Sequence, residues 1–160
     1  MRKINWIVIH ESDTPNGRVQ SVEDINSWHK DNGWKRLEKF RKVFNPHLSS
    51  IGYQFVIYVN GVVKTGRSEE EISCAVKNHN TDSINICLIG KGRYTEKQWE
   101  SLKRLTKELE DKYPNAVVTG HNTFDTAKEQ GKTCPDFDVP KWVCNNYQPE
   151  RKNIYVNEGV

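Results

Sequence analysis

Two short apolar segments constrain the fold of this chain more than any other feature. Residues 4–9 (INWIVI) and 84–89 (INICLI) are nearly continuous apolar runs, rich in β-branched side chains and followed by polar residues or glycine. Runs of this length and composition are typical of strands that are buried on both faces of a sheet. Residues 116–119 predict a further short strand. A sheet of such strands needs helices to cover both of its faces.

The intervening segments carry helical patterns. Ser21 starts the motif SVED, an N-cap with an acid three residues later, which predicts a helix over residues 22–31. The motif TEKQ is a capping box and predicts a long amphipathic helix over residues 96–113. Asp138 is a candidate N-cap for a last helix over residues 139–143.

A β-hairpin is predicted in the middle of the chain. Residues 53–59 have the alternating pattern of a strand, and Asn60-Gly61 then leads into two further apolar residues, 62 and 63. An Asn-Gly pair between two strand patterns favours a turn of type I′.

The order of the elements predicts an α/β fold, with a central mixed β-sheet and helices packed on its faces. We expect one domain over residues 1–145 and a polar C-terminal tail over residues 146–160. Residues 34–50, the 34–50 segment, are basic and contain a helix-breaking proline, which predicts an exposed loop or short helix. The spacing also suits an amphipathic helix for membrane or partner contact, although such charge runs usually face water.

Charge and cysteine usage argue against several classes of protein. The 24 basic and 21 acidic side chains are mixed along the chain, and a net charge of +3 makes no case for nucleic-acid binding. The apolar run before His10 is too short for a membrane span or a signal-peptide core, so we expect no signal peptide and synthesis in the cytoplasm. The four cysteines match neither a CxxC zinc knuckle nor a dense disulfide framework, so we expect free thiols.

Three possible zinc ligands lie near the ends of predicted elements. His10 follows the first strand, His121 follows the strand at residues 116–119, and Cys134 precedes the last helix. A catalytic zinc site uses nitrogen, sulfur or oxygen donors from three residues and leaves one position open for water. A histidine at a strand end is more often structural, so the spacing alone does not show that the three meet.

The motifs around these residues make the case stronger. WIVIHESDTP, SWHKDNGW, IGYQFVIYVNG, SINICLIG, GHNTF and KTCPDFDVPKW follow one another in this order. With them the chain closely resembles the zinc N-acetylmuramoyl-L-alanine amidases, the type-2 amidase family that includes the peptidoglycan recognition proteins. It is most similar to the amidase-type lysozymes of bacteriophages, and the resemblance runs from Asn5 to Val143.

The resemblance implies a site and a reaction. It implies that Zn²⁺ is bound by His10, His121 and Cys134, and that Tyr53 and Lys132 act on the substrate. Zinc held by two neutral imidazoles and a thiolate keeps a positive charge and lowers the pKa of a bound water to about 7. Lys132 would stabilise the negative charge on the attacked carbonyl, while Tyr53 would orient the water or relay a proton.

The implied substrate is bacterial peptidoglycan, cut at the amide between N-acetylmuramic acid and L-alanine. We expect a monomeric endolysin of a phage or prophage that reaches the wall after the membrane is disrupted. The alternatives are a non-catalytic peptidoglycan-binding module and a cytosolic wall-recycling amidase that acts on muropeptides. Two residues depart from the family pattern: Cys87 stands where some branches have a glutamate base, and Asn85 where glycine is more frequent.

The remaining histidines, cysteines and tryptophans have plainer interpretations. His29 is expected to make a structural hydrogen bond or a contact near the groove, and His47 and His79 to lie on the surface. Cys87 is expected as a core thiol, and Cys74 and Cys144 as buried or half-buried thiols. Four tryptophans fit apolar faces and are predicted in the core: Trp6, Trp28, Trp99 and Trp142.

Overall fold

The computed structural model describes residues 2–157, and this part of the chain contains a five-stranded sheet. The strands are β1 (Trp6–Glu11), β2 (Phe55–Ile57), β3 (Val63–Thr65), β4 (Ser83–Leu88) and β5 (Val117–Gly120). They are ordered β3-β2-β4-β1-β5, and all neighbours are parallel except the antiparallel pair β2 and β3. The predicted mixed sheet is confirmed.

Helices cover this sheet. They are α1 (Val22–Asp31), α2 (Glu38–Arg41), α3 (Glu96–Lys112), α4 (Asp125–Glu129) and α5 (Val139–Cys144), with 3₁₀ turns at His121–Thr123 and Arg151–Asn153. The α/β class is therefore confirmed. Within residues 2–157, none of the helices combines the length and the apolar character needed to cross a membrane.

The capping motifs are present as predicted. In α1 the Ser21 hydroxyl accepts the Asp24 N–H, and in α3 the Thr95 hydroxyl accepts the Gln98 N–H. Each motif also has the reciprocal bond from its N-cap N–H to the third helical side chain, which completes a capping box. The apolar face of α3 then packs on the sheet through Trp99 and through three leucines of the same face: Leu102, Leu105 and Leu109.

The carboxyl ends of β1, β4 and β5 meet at one edge of the sheet, because these strands are parallel. His10 is paired in register with Cys87 of β4, and Ile9 is paired with Gly120 of β5. His121 follows Gly120 directly. The topology therefore brings two of the candidate ligands to the same edge, although they are far apart in sequence.

The prediction of a type I′ turn is wrong. The N–H of Gly61 donates to the carbonyl of Tyr58 at 2.8 Å, so Val59 and Asn60 are the central residues of the turn. Of the Asn60-Gly61 pair only Gly61 has a positive φ, +86°. A type I′ turn would require a positive φ at both central residues, which is unfavourable for the β-branched Val59.

The 34–50 segment is a loop with the four-residue helix α2, but the expectation that it is exposed is wrong for part of it. Leu48 is 1% exposed and Arg36 is 6% exposed. The Arg36 guanidinium donates to the carbonyls of Phe44, Asn45 and Leu48 and to the Glu71 carboxylate. A buried arginine therefore fastens this segment to the domain.

We expect Glu71→Gln to destabilise the fold by about 3–5 kcal/mol, since it leaves the buried guanidinium groups of Arg36 and Arg67 without their shared counter-ion. Both side chains of the Arg36–Glu71 pair are 0% exposed, and Nη2 lies 3.0 Å from Oε1. Urea unfolding followed by circular dichroism measures the loss. Glu38→Gln is the matched control, because Glu38 pairs with Arg41 at 4.0 Å on the surface and should contribute less than about 1 kcal/mol. Equal losses in the two variants would contradict the anchoring role of Glu71.

Three further expectations about single residues have mixed outcomes. Trp28 is 38% exposed rather than in the core, because the buried stripe of α1 runs through Val22, Ile25 and His29. His29 has the expected structural role, since its Nδ1 accepts the N–H of Gly52 at 2.9 Å. Cys144, the last residue of the short helix α5, is exposed rather than buried or half-buried.

Residues near the C-terminus pack against the domain. Tyr94 forms an isolated parallel bridge with Ile154, and the Tyr94 N–H donates to the carbonyl of Asn153 at 2.9 Å. The buried side-chain amide of Asn153 donates to the Gly92 carbonyl at 2.7 Å. The backbone carbonyl of Asn153 accepts the indole N–H of Trp99 at 3.1 Å. We call residues 151–155 the C-terminal strap.

Candidate metal centre

His10, His121 and Cys134 come together at the carboxyl edge of the sheet. One ligand atom from each residue lies within 4.8 Å of the other two. His10 is in β1, His121 opens the turn after β5, and Cys134 lies in the loop between α4 and α5. Two imidazoles and one thiol at these separations form a donor set suited to a zinc ion.

The electrostatics of the three donors fit a cation. Burial is the main cause that lowers the pKa of His10 well below its usual value and that of His121 to about 4, so both imidazoles are neutral at pH 7. Burial also raises the pKa of the Cys134 thiol to about 12, although the N–H of Glu11 donates to its sulfur at 3.1 Å. A thiolate at this place therefore needs a nearby positive charge, which a bound metal ion supplies.

A hydrogen bond to one nitrogen of His10 indicates that the other nitrogen faces His121 and Cys134. Its Nε2 lies 2.7 Å from Oδ1 of Asn85, a contact buried in the sheet. Nδ1 is therefore the nitrogen that remains for a metal ion.

Tyr53 and Lys132 line the same cavity as the three donors. This cavity has a volume of about 440 Å³. The Tyr53 ring is half-buried, and its centroid is 5.1 Å from that of His10. Burial, followed by the neighbouring Cys87 and Cys134 thiols, raises the pKa of Tyr53, so the phenol stays protonated. Lys132 is exposed, and its charge contributes to the lowered pKa of His121.

Cys87 is fully buried behind this cavity, in agreement with its interpretation as a core thiol. Burial, and then the Cys134 thiol and the Glu11 carboxyl, raise its pKa well above the usual value. A neutral thiol at this position is a poor general base.

The structure keeps the other histidines outside the cluster. Besides the structural His29, His47 lies on the surface with Nε2 3.6 Å from a carboxylate oxygen of Glu23. His79 is partly exposed, with Nδ1 3.7 Å from a carboxylate oxygen of Asp82. Neither lies among the residues that line the cavity.

Glu11 lines the cavity, although the sequence patterns had not indicated it as a functional candidate. Glu11 is 6% exposed, and its carboxylate oxygens have no hydrogen-bond donor among residues 2–157. Burial, and then the adjacent Asp136, raise the pKa of Glu11 to about 9. The sequence offered one signal for this carboxyl: an acid directly after a candidate ligand at the end of an apolar strand.

The fold and the site define a class: an α/β domain with two histidines and a cysteine clustered at the carboxyl edge of its parallel strands, in an arrangement that could hold a metal ion. A family profile described as N-acetylmuramoyl-L-alanine amidase matches residues 1–137. The chain belongs to this family and is an N-acetylmuramoyl-L-alanine amidase.

Individual relatives agree with this membership. An endolysin of Enterobacteria phage K11 is 31% identical over 143 residues, covering 84% of this chain and 82% of the phage protein. An endolysin of Enterobacteria phage T3 is 33% identical over 144 residues, covering 85% of this chain and 83% of the phage protein. The solved structure of an amidase from Clostridium intestinale has the same fold, with a TM-score of 0.70 at 24% identity over 92% of this chain and 88% of that one.

Proposed function

We propose that this chain uses zinc, bound by His10, His121 and Cys134, to hydrolyse the amide between N-acetylmuramic acid and L-alanine in bacterial peptidoglycan. The observation that carries the proposal is the meeting of these three donors within 4.8 Å in a member of the amidase family. The donors also line a cavity that is open to solvent on the side of Lys132.

The donor set suits the chemistry of amide hydrolysis. Two neutral imidazoles and one thiolate leave a bound Zn²⁺ with a net charge of +1. When bound, zinc polarises a carbonyl group and lowers the pKa of a coordinated water to about 7. Everything else in the reaction is assigned to side chains of the cavity.

Lys132 is the residue that we assign to the carbonyl oxygen of the scissile amide. Negative charge develops on this oxygen when the carbonyl is attacked, and a fixed ammonium group stabilises it. Lys132 lines the cavity, and its charge acts on His121, which supports this assignment.

Tyr53 is the residue that we assign to orienting the attacking water or relaying a proton to the leaving amine. A protonated phenol beside His10 can donate a hydrogen bond to either group. Because Cys87 is a buried neutral thiol, it does not compete for this role.

We expect Tyr53→Phe to lower kcat by about 100-fold, because the ring is retained and only the hydroxyl is lost. Zinc content should stay at one ion per chain, since Tyr53 is not among the ligands. Tyr58→Phe is the matched control: its hydroxyl accepts the N–H of Val22 at 2.8 Å, away from the cavity, and its loss should leave kcat unchanged. A Tyr53→Phe enzyme with full kcat would remove Tyr53 from the mechanism.

The proposed setting is lysis of a bacterial host by a phage or prophage, with access to the wall once the membrane has been breached. The two phage relatives named as endolysins support this setting. We further propose that the enzyme acts as a monomer and that residues 1–145 contain the catalytic machinery.

The decisive experiment combines metal analysis with the release of new amino termini from purified sacculi. We expect one zinc per chain and the appearance of N-terminal alanine, both abolished by a chelator and restored by Zn²⁺. Zinc-loaded protein that binds sacculi without releasing amines would instead identify a binding module. Turnover of soluble muropeptides but not of sacculi would identify a wall-recycling amidase.

A further inference from the structure

Asn85 lies in the middle of β4, next to β1, and is fully buried. It is one of the few polar side chains inside the sheet, and it lies behind the metal-binding cluster rather than in the cavity. Its amide oxygen is 2.7 Å from Nε2 of His10. A buried polar side chain is unfavourable unless all its hydrogen bonds are made, so the partners on its other side determine what it can do.

The amide nitrogen of Asn85 is held by two serines. Nδ2 donates to the hydroxyl of Ser73 at 2.8 Å and to the hydroxyl of Ser83 at 2.8 Å. These contacts use both hydrogens of the amide, and the oxygen is left for His10.

A chain of buried hydrogen bonds excludes the flipped orientation of the Asn85 amide, in which Oδ1 and Nδ2 would exchange places. Nε2 of Gln54 donates to the backbone carbonyl of Glu71 at 3.1 Å, which fixes Oε1 of Gln54 as an acceptor. The Ser73 hydroxyl has two acceptors for its single hydrogen, this Oε1 at 2.9 Å and the backbone carbonyl of Ser83 at 3.2 Å. The N–H of Asn85 donates to the same Oε1 at 2.9 Å. Because the hydrogen of the Ser73 hydroxyl is used in these contacts, the hydroxyl oxygen can only accept a hydrogen bond from Asn85.

The orientation of Asn85 in turn fixes His10. An amide oxygen is only an acceptor, so Nε2 of His10 must carry the hydrogen and Nδ1 must carry the lone pair. This is the tautomer in which the nitrogen facing His121 and Cys134 can bind a metal ion. Gln54, Ser73, Ser83 and Asn85 are each 3% exposed or less, so water does not compete for these bonds.

We propose that Asn85 is the positioning residue of the metal centre: it holds His10 in its Nε2–H tautomer, with Nδ1 directed at the ion. Histidine ligands generally donate their second N–H to a partner, and removal of that partner lowers metal affinity by about 10- to 100-fold. The partner here is a neutral amide, which sets the tautomer without adding negative charge to the centre. The inference rests on the proposed zinc site but is independent of the reaction catalysed there.

The first test measures zinc affinity by competition with a chromophoric chelator. Asn85→Leu keeps the approximate volume and removes the acceptor, and the zinc Kd should rise by about 10- to 100-fold. Asn26→Ala is the matched control: Oδ1 of Asn26 accepts two backbone N–H groups, from Ser50 and Ile51, and its loss should affect stability but not zinc affinity. Equal zinc affinity in Asn85→Leu and the wild type would overturn the positioning role, whereas a wild type that binds no zinc would overturn the centre itself.

The second test reads the tautomer directly. In the zinc-free protein, ¹⁵N NMR of the imidazole should show His10 protonated at Nε2, and Asn85→Leu should lose this preference while His29 keeps its own. If Asn85→Leu does not fold, Ser73→Ala tests the same proposal, since it removes only the hydroxyl that fixes the orientation of the Asn85 amide. We expect Ser73→Ala to weaken zinc binding by about 10-fold and to populate both tautomers of His10. An Nδ1–H tautomer in the wild type would overturn the proposal.

Discussion

Cys134→Ser is expected to leave the protein folded but without stoichiometric zinc and with amidase activity reduced by about 1,000-fold or more. Serine is nearly isosteric with cysteine but is a much weaker zinc ligand, because its hydroxyl stays protonated at neutral pH. Loss of a group that merely orients a ligand weakens metal binding by about 10- to 100-fold, so loss of a ligand must weaken it more. Metal analysis after dialysis and the amine-release assay measure the two effects.

Cys144→Ser is the matched control for this substitution. Cys144 is exposed and lies at the end of α5, outside the cluster of ligands. It should keep both zinc and activity. If Cys134→Ser also retained one zinc per chain, the ligand assignment would be wrong, whatever its activity.

Lys132→Gln is expected to lower kcat/KM by about 100- to 1,000-fold while zinc content and stability stay unchanged. The glutamine keeps much of the side chain but removes the charge that we assign to the developing oxyanion. Lys132 is exposed, so its replacement should have little structural cost. Amine release from sacculi over a range of substrate concentrations separates the effects on kcat and KM.

The control for Lys132 is Lys128→Gln, which removes an exposed lysine of α4 that does not line the cavity. A general effect of positive charge on binding to the wall would weaken both variants to the same degree. A selective loss at Lys132 supports its role in the reaction, and a loss confined to KM would instead make it a binding residue.

Local signals made much of the fold predictable. The capping boxes at Ser21 and Thr95 depend on residues three apart, and both helices begin where the sequence indicated. The buried strands were recognisable because covered strands are apolar on both faces. The helix α4 gave no such signal, since its N-cap, Phe124, has no side chain that can accept a hydrogen bond.

The environments of Arg36 and Asn85 were not predictable from the sequence, because their partners are distant in the chain. Arg36 belongs to a basic run that looks exposed, and its burial depends on Glu71, which is 35 residues away. Asn85 was noticed only as a departure from a family motif, because its contact with His10 spans 75 residues. Likewise, the resemblance suggested the three candidate metal ligands, but only the parallel pairing of β1 with β4 and β5 explains why two of them meet.

The C-terminal strap limits where this enzyme can be joined to another module. Within the strap, the side chain of Asn153 donates to the carbonyl of Gly92, and its backbone carbonyl accepts the indole N–H of Trp99. The N–H of Tyr155 donates to the backbone carbonyl of Tyr94. Gly92 and Tyr94 belong to the loop that also carries Lys91, which lines the cavity. A linker to a wall-binding module should therefore start beyond Tyr155, because an earlier junction would release this loop from its support.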